Sequence, residues 1–467
     1  MNRPTAGRQD YIKLFEMPLA ICIYLLSFVS KAIMWMQPTF SQANWRYLLI
    51  VNVVEAAAWI IWMLRRHGKQ LAFVFLPLPL VCALYSSVSV ALLAAGMDIY
   101  PFPDFAVREG MLLQSLFATH LWILTGLFFS RKGTGLFRTK VTDWVNGATV
   151  SSVGLFLFLI VGLVVAVLYV ANFYASGAAS LLQTSGDRAL ILDTLETGKA
   201  WLLTAAFVAW LMACAILWLS PKARLLIKYT HTWSAVVIVV VFFSTYSRLG
   251  NRRELMIGVI FICLLLLFKG RTKLIAIVLA VAIAGGLYVG IARSSDSYTR
   301  SEMDAATFYL NLFGEAILPN YPLLDHVSSR HELWLGSSYL RLPGYISPSF
   351  GLWKKPESLS ETFAKQYADG AMGYAYTPLG EGYANFGIVS AFLIPLLLVL
   401  SQRMLLQGAL VTGRLAGVYL PAVLTFLSLP LDINRGEFVS IAFEIVLYSF
   451  LVWFYLWLCA MRFKGQV

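Results

Sequence analysis

The sequence predicts an all-α protein that crosses a membrane many times. Of its 467 residues, 59% are hydrophobic and only 13% are charged, whereas a soluble domain carries roughly 25% charged residues. Apolar runs of about 20 residues, the length of one helical span, recur along the chain. Its formal net charge of +12 is unevenly divided among the segments that join these runs. This composition excludes a soluble enzyme, a disordered chain and a secreted disulfide scaffold.

About twelve apolar runs qualify as spans. They lie near residues 17–37, 47–64, 71–96, 111–130, 149–171, 200–219, 232–246, 254–268, 274–293, 386–402, 415–431 and 438–461. The runs divide the chain into helices 1–9 over residues 1–293, a large loop over 294–385, and helices 10–12 over 386–467. We expect the first run to be an uncleaved span, because no small-residue cleavage site follows it.

The positions of the basic residues predict the orientation. One set of alternate loops carries 20 Lys and Arg residues against three acidic residues, while the opposite loops carry 15 basic and 19 acidic residues. Loops rich in Lys and Arg remain in the cytoplasm. We therefore expect both termini in the cytoplasm and the large loop on the outer side. The positive charge thus indicates orientation and not binding of nucleic acid.

The large loop is the one long segment outside the apolar runs. From Ala305 to Leu318, apolar residues recur at roughly helical spacing, which predicts a helix. Prolines are frequent after it and predict a region rich in turns; they are Pro319, Pro322, Pro343, Pro348 and Pro356. A loop of this length usually carries function.

A short outer turn, Ser247 to Glu254, contains three arginines: Arg248, Arg252 and Arg253. The planar guanidinium group holds a phosphate through two parallel hydrogen bonds and stays charged. At a membrane surface this pattern favours binding of an anionic lipid headgroup, above all a pyrophosphate. Pairing with Glu254, or contact with ordinary lipid phosphates, is the structural alternative.

A second outer turn, between the last two predicted spans, carries Arg435. In one interpretation Arg435 completes a clamp around the same phosphate. In the other it forms a salt bridge with Asp432 or Glu437. The sequence favours both interpretations equally.

The large loop closes with the segment Tyr374 to Gly387, YAYTPLGEGYANFG. Glu381 stands between two glycines, which let a backbone turn sharply and approach a ligand closely. A carboxylate there would accept the proton of an attacking hydroxyl group. Alternatively, Glu381 stabilises the positive end of the helix that follows. Tyr376 and Tyr383 belong to the same segment and are assigned to substrate binding with it.

Three further residues of the loop are weaker candidates. Arg341 lies in an expected ordered turn between apolar residues, where it either contacts substrate or forms a plain salt bridge. For His326 and His331 we expect surface or structural roles.

Few ionisable residues lie within the predicted spans. Lys31 and Glu55 are on neighbouring spans and we expect them to pair, although charges at membrane depth are also functional candidates. The sequence contains no P-loop, HExxH or Asp-x-Asp motif, and Glu302 and Asp304 form only a weak metal-like pair. We therefore expect neither a metal ion nor a cofactor.

The layout of spans and motifs resembles one family. A twelve-span chain with a long outer loop between spans nine and ten, the arginine-bearing turn from Ser247 to Arg253, and the closing residues Leu379 to Gly387 is similar to the Wzy-type O-antigen polymerases, also called oligosaccharide repeat unit polymerases. The resemblance in layout covers most of the chain. The motif matches lie around residues 247–254 and 374–387.

The resemblance implies a glycosyltransferase of the bacterial inner membrane with a GT-C-like fold and an active site that faces the periplasm. Such enzymes transfer a growing glycan from undecaprenyl pyrophosphate onto a new lipid-linked repeat unit, without a metal ion. A flippase and a chain-length regulator are the expected partners. Carried over to this chain, Arg248, Arg252 and Arg253 would hold the pyrophosphate, and Glu381 would lie near the acceptor hydroxyl.

Two other classes remain open. O-antigen ligases share the layout but often place a histidine followed by Asn, Ser or Gln in the large loop, whereas here Val327 follows His326 and Glu332 follows His331. A flippase or other transporter of lipid-linked oligosaccharide commonly shows paired repeats and broken helices. No two-fold repeat is visible in this sequence.

Overall fold

A computed structural model describes most of the chain. The described residues are 6–37, 39–67, 75–128, 131–178, 197–224, 229–246, 253–295, 313–314, 316–330, 332–347, 356–367, 375–411, 416–434 and 436–460. These residues form helices and irregular connections, and none of them lies in a β-strand. The prediction of an all-α protein is confirmed for this part of the chain.

The helices before the large loop are mostly long. They are α1 (Ala6–Trp35), α2 (Gln42–His67), α3 (Pro77–Ala94), α4 (Asp104–Phe128), α5 (Arg131–Gly147), α6 (Ser152–Ala175), α7 (Thr197–Leu219), α8 (Pro221–Arg224), α9 (Tyr229–Tyr246), α10 (Arg253–Phe268) and α11 (Thr272–Ser295).

The large loop adds short helices, and the chain then returns to long ones. They are α12 (Tyr321–Ser329), α13 (Leu342–Ile346), α14 (Leu359–Tyr367), α15 (Pro378–Phe386), α16 (Ser390–Val411), α17 (Ala416–Ser428), α18 (Pro430–Ile433) and α19 (Phe438–Ala460). Single 3-10 turns occur at Leu318–Asn320, Tyr339–Arg341 and Gly387–Val389.

Within the described residues, eight helical stretches are long and apolar enough to cross a membrane. They are Met17–Trp35, Gln42–Arg66, Pro77–Ala94, Asp104–Phe128, Ser152–Ala175, Ala200–Leu219, Pro378–Leu410 and Phe438–Ala460. Shorter apolar helices lie at His231–Tyr246, Leu255–Phe268, Thr272–Ala282 and Tyr419–Ser428. The chain is therefore an all-α polytopic membrane protein.

The chain divides into two compact units that each draw on several segments. Unit 1 comprises Met1–Thr134, Met303–Met404 and Leu429–Phe443, and unit 2 comprises Gly135–Glu302, Leu405–Ser428 and Glu444–Val467. In unit 1, α2 packs on α3, α3 on α4, and α1 on both α2 and α4. The loop helix α12 packs on α4 and α15. The described part of the large loop thus folds together with the first four helices.

An apolar cluster holds the loop against these helices. Leu48 of α2, Val90 of α3 and Met111 of α4 are buried in this cluster. The loop contributes Ile317, Tyr321, Leu324, Phe363 and Tyr376 to it. Since burial of apolar area is the main source of stability, this cluster fixes the loop on the helix ends.

Lys31 and Glu55 pair within unit 1, as the sequence predicts. The Lys31 Nζ lies 2.6 Å from Glu55 Oε2, and both side chains are buried. Lys31 also donates to Thr119 Oγ1 at 2.6 Å and to the Ser115 carbonyl at 3.1 Å. Three acceptors for one ammonium group, on two different helices, compensate the loss of water around both charges.

Unit 2 is built from α6, α7, α9, α10, α11 and α17. Helix α6 packs on α7 and α9, and α10 packs on α7, α11 and α17. The rings of Phe207 and Phe242 stack with centroids 3.8 Å apart. A Cβ on Gly162 would lie 2.5 Å from the Trp210 ring, whose Nε1 donates to the Phe158 carbonyl at 3.1 Å. Glycine at position 162 thus admits the indole between helices.

The proline-rich part of the loop is helical where the sequence predicts turns. Pro319, Pro322 and Pro343 each occupy the first turn of a helix, where the missing N–H has no partner to lose. The expectation of a region of turns is therefore wrong for these residues. Pro356 lies in an irregular stretch, as predicted, and Pro348 lies outside the described residues. Of the helix predicted from Ala305 to Leu318, residues 313–314 and 316–318 are described and helical, with Leu318 at the start of a 3-10 turn.

Candidate functional site

Glu381 lies in the first turn of α15, which begins with a strong helix start. The side chain of Thr377 caps it by accepting a 2.9 Å hydrogen bond from the N–H of Gly380, and Pro378 follows at the start of the helix. Glu381 itself has 0% exposure. A carboxylate so completely buried requires hydrogen-bond donors in place of water.

Both carboxylate oxygens of Glu381 accept hydrogen bonds from distant parts of the chain. Ser338 Oγ donates to Oε1 at 2.6 Å, and the N–H of Phe438 donates to Oε2 at 2.7 Å. Phe438 is the first residue of α19, where exposed N–H groups give the helix a partial positive charge. Glu381 therefore connects the large loop to the beginning of the last long helix.

The two glycines beside Glu381 do not form the sharp turn that the sequence predicts. Gly380 and Gly382 both lie inside α15. A Cβ on Gly382 would lie 2.5 Å from Cγ1 of Ile394, so the missing side chain makes room for α16 and not for a ligand. The turn occurs later, at Gly387, where φ is +63° and glycine is favoured. The expected turn at Glu381 is wrong for this reason.

Asn385 fixes the loop segment that carries Ser338. Its Nδ2 donates to Ser338 Oγ at 2.8 Å and to the carbonyl of Glu381 at 2.7 Å. Its Oδ1 accepts from the N–H of Gly336 at 2.8 Å. One amide side chain thus binds three positions, and the hydroxyl of Ser338 is held in a single orientation toward Glu381.

A second buried carboxylate, Glu437, lies immediately before α19. Its Oε2 accepts a 2.7 Å hydrogen bond from the N–H of Leu359, the first residue of α14, and its Oε1 accepts one from Ser440 at 3.1 Å. Burial raises the pKa of Glu437, and this outweighs the hydrogen bonds and the charge of Arg341, which lower it. The sequence offered Glu437 only as a partner of Arg435. An acidic residue at the start of an apolar run agrees with the enrichment of Asp and Glu near helix N-termini.

Arg341 is the basic residue whose charge acts on both Glu381 and Glu437. Its guanidinium group donates to the carbonyl of Glu357, just before α14. The structure thus brings together two residues that the sequence proposed separately, Arg341 and Glu381.

Tyr376 lies beside the carboxylates in a cluster of aromatic rings. Its hydroxyl is 2.9 Å from Nε2 of His326, and the ring of Trp334 meets the His326 imidazole edge to face at 5.0 Å. Burial raises the pKa of Tyr376, and the negative charges of Asp325, Glu381 and Glu437 raise it further. The hydroxyl therefore stays protonated. His326 is buried, which fits a structural role in this cluster.

Tyr383 bonds to a residue outside this cluster, and most of the predicted phosphate-binding arginines are not described. The Tyr383 side chain hydrogen-bonds Glu109 of α4. Three of the predicted phosphate-binding residues lie outside the described residues: Arg248, Arg252 and Arg435. Arg253 is the first residue of α10, and its side chain also lies outside the description.

A small cavity lies at the start of α15. It measures about 20 Å³ and is lined by Thr377, Pro378, Leu379 and Asn434 together with Cys82, Tyr85, Gln114 and Phe117. That volume holds about one water molecule, so the cavity is too small for a sugar ring. Among the described residues, no group of three or more His, Cys, Asp or Glu side chains is arranged to hold a metal ion.

Comparison with known proteins gives no relative for this chain: no protein-family model, no curated protein and no solved structure matches it. An assignment of function therefore rests on the chain's own residues.

Proposed function

We propose that the chain is a Wzy-type polymerase of the bacterial inner membrane. In this proposal it joins undecaprenyl-pyrophosphate-linked oligosaccharide units into O-antigen or a related surface polysaccharide, at the periplasmic face. The observation that carries the proposal is the cluster of Glu381, Glu437 and Arg341. It unites the closing segment of the large loop with the last outer turn, two of the regions in which the sequence predicts substrate-binding residues.

The cluster supports the proposed orientation. The distribution of Lys and Arg places the large loop and the turn before α19 on the same, outer side. The hydrogen bond from the N–H of Phe438 to Glu381 agrees with this expectation, because it requires the two segments to lie close together. An odd number of spans between the two segments would place Glu381 and Phe438 on opposite sides of the bilayer.

A count of twelve spans accommodates the shorter helices. Each of the four shorter apolar helices falls within one of the four predicted spans that the eight longer stretches do not cover. The apolar parts of these four have 10–17 residues, which at 1.5 Å per residue reach roughly 15–25 Å. In a GT-C-like bundle, neighbouring helices and the predicted flanking residues complete the crossing.

The proposed reaction transfers a glycan from one lipid carrier to another sugar. The acceptor hydroxyl forms a bond to the anomeric carbon, the bond from that carbon to the pyrophosphate oxygen breaks, and its electron pair leaves with the pyrophosphate. Arg248, Arg252 and Arg253 stabilise the charge on the leaving group, and Arg341 and Arg435 add to the binding. The proton of the hydroxyl passes to Glu381.

Glu381 already holds a hydroxyl where the proposal requires one. Ser338 Oγ lies 2.6 Å from Oε1, the distance of a strong hydrogen bond to a carboxylate. In the proposed mechanism the acceptor hydroxyl replaces that of Ser338 as the hydrogen-bond donor to Oε1 of Glu381. The assignment of Tyr376 to substrate binding stays a prediction, since its ring is buried against His326 and Phe363. Tyr383 orients α15 through its hydrogen bond to Glu109.

Substitution of the arginine turn tests the proposal in cells. Arg248→Ala and Arg253→Ala should abolish long polymer and leave a single repeat unit, at unchanged abundance in the membrane. Lys365→Ala, which removes an outer cation with an exposed ion pair to Glu357, serves as the control and should leave the polymer intact. Long polymer in both arginine variants at normal abundance would refute the phosphate-binding assignment.

A further inference from the structure

Three leucines of the large loop are exposed close together in the chain. Leu335 is 79% exposed, Leu340 is 81% exposed and Leu333 is 47% exposed. They lie on the segment 333–340, which also carries Ser338. Scattered apolar residues are normal on a protein surface, but a contiguous apolar patch usually marks an interaction.

The segment is held firmly in this exposed position. The N–H groups of Trp334 and Leu335 donate to the carbonyls of Ala384 and Asn385, at 2.9 and 3.3 Å. Trp334, between two of the leucines, packs inward on His326. The leucines therefore lie on a segment that is held by backbone hydrogen bonds and by the partly buried indole of Trp334.

Leu335 is also displayed at an energetic cost. Its φ is +49°, a left-handed conformation that residues with a Cβ rarely adopt. Such a conformation persists only where the surroundings impose it, and it often accompanies function. Because Leu335 is exposed and its backbone is strained, neither its packing nor its backbone conformation stabilises the folded chain.

Leu333 lies beside the start of a membrane-spanning stretch. A Cβ on Gly387 would lie 3.8 Å from Cδ2 of Leu333. The next residues, Ile388 and Val389, are exposed, and so is Phe392 in the first turn of α16. These residues belong to Pro378–Leu410, one of the stretches apolar enough to cross a membrane. The segment that carries the leucines therefore meets this stretch at Leu333 and Gly387.

We propose that Leu333, Leu335 and Leu340 insert into the outer half of the lipid bilayer beside the beginning of α16. Lipid is the occupant favoured by the position of Leu333 beside Gly387, because the exposed apolar residues that follow Gly387 belong to a stretch that can cross a membrane and contact acyl chains. Transfer of three exposed leucines from water to the interface supplies the free energy that the exposed, strained arrangement lacks. The large loop is thereby anchored at the membrane surface next to Ser338 and Glu381.

Spin labels test the insertion independently of any enzymatic activity. The full chain carries Cys22→Ser, to remove an exposed cysteine, and one of Leu335→Cys, Leu340→Cys, Phe392→Cys or Glu361→Cys. It is placed as a monomer in nanodiscs of phosphatidylethanolamine and phosphatidylglycerol without polyprenyl lipid. Phe392 is the reference for lipid, and Glu361, exposed on α14, is the reference for water. The chain without an added cysteine supplies the background label.

Accessibility to dissolved oxygen relative to a water-soluble nickel complex measures depth. We expect labels at positions 335 and 340 to give a ratio several times that at position 361 and close to that at position 392. A ratio at both positions equal to that at 361 would overturn the insertion. So would a high ratio that appears only when polyprenyl lipid is added, or only with two copies per disc. Since two positions are labelled, failure of one variant to fold leaves the other decisive.

Discussion

The N–H of Phe438, at the first residue of α19, donates a 2.7 Å hydrogen bond to Oε2 of Glu381, 57 residues earlier in the chain. Glu437, the residue before Phe438, makes the corresponding bond to the N–H of Leu359 at the start of α14. Each carboxylate thus occupies the positive end of a helix from a different segment. Three segments of unit 1 are joined through these two acidic side chains.

Exchange of Glu381 for glutamine should separate the structural role from the chemical one. In Glu381→Gln, the amide oxygen still accepts from the N–H of Phe438 and the amide nitrogen donates to Ser338, so the fold survives. The variant has no group to take a proton from the acceptor hydroxyl. We expect transfer to fall by on the order of 10²–10⁴ at nearly unchanged thermal stability.

Ser338→Ala is the matched control for this pair. It removes the same hydrogen bond from the other side and, because the acceptor is a buried carboxylate, should reduce the free energy of unfolding by about 1.5–3 kcal/mol, with transfer retained within severalfold. If Glu381→Gln keeps parental transfer rates, Glu381 is a structural carboxylate only.

Glu437 should make stability depend on pH. Burial raises its pKa in the folded chain above the unfolded value of about 4.3, so the folded state binds the proton more tightly. The resulting stability is fully present below the unfolded pKa and is lost as the pH rises through the folded pKa. Glu437→Gln keeps an acceptor for Leu359 but does not titrate.

The measurement is the melting temperature of both proteins in detergent from about pH 4 to about pH 7. The melting temperature of Glu437→Gln should rise relative to that of the parent as the pH rises. A constant difference between Glu437→Gln and the parent would contradict the raised pKa.

Removal of only one residue of the buried pair Lys31 and Glu55 should lower the free energy of unfolding strongly. Lys31→Met leaves the Glu55 carboxylate with Thr119 as its remaining hydrogen-bond donor, and removal of one partner of a buried pair costs about 3–5 kcal/mol. The double variant Lys31→Met with Glu55→Leu removes both charges and should recover most of the loss. Equilibrium unfolding in mixed micelles measures the four proteins, and additive effects of the two substitutions would argue against the coupling.

Gly382→Ala should disturb the packing of α15 on α16. The new methyl group would lie 2.5 Å from Cγ1 and 3.0 Å from Cδ1 of Ile394, and overpacking of this kind costs about 1–3 kcal/mol. Gly135 is the control, because a Cβ there has no neighbour within 4 Å. Gly135→Ala in α5 should be neutral or stabilising by up to about 1 kcal/mol. Equal effects of both substitutions on the melting temperature would contradict the assigned role of Gly382.

The sequence predicts the parts of this fold that depend on local pattern. Long apolar runs become helices because a bilayer leaves the backbone no other partner. Lys31 and Glu55 pair because two opposite charges on neighbouring spans have no better compensation. The start of α15 at Pro378 is missed, since the loop is predicted to extend to residue 385, although Thr377 before Pro378 is a local signal of a helix start.

The parts that escaped prediction depend on contacts between distant residues. Nothing near Glu437 indicates that it accepts from Leu359, 78 residues away. The residues around Gly382 suggest that glycine provides backbone freedom there. The structure shows instead that a larger side chain would clash with Ile394 on the following helix. The prolines of the loop are compatible with turns and with helix starts alike, and packing of α12 on α4 selects the helix.

The central claim is tested most directly by transfer with purified components. The chain in nanodiscs is given undecaprenyl-pyrophosphate-linked repeat units and no nucleotide sugar, and the lipid-linked products are separated by length. A polymerase converts single units into a ladder of lipid-linked glycans and releases undecaprenyl pyrophosphate, and this is the result we expect. Single units that remain unchanged, or glycan that moves only onto an added lipid A core, would contradict it.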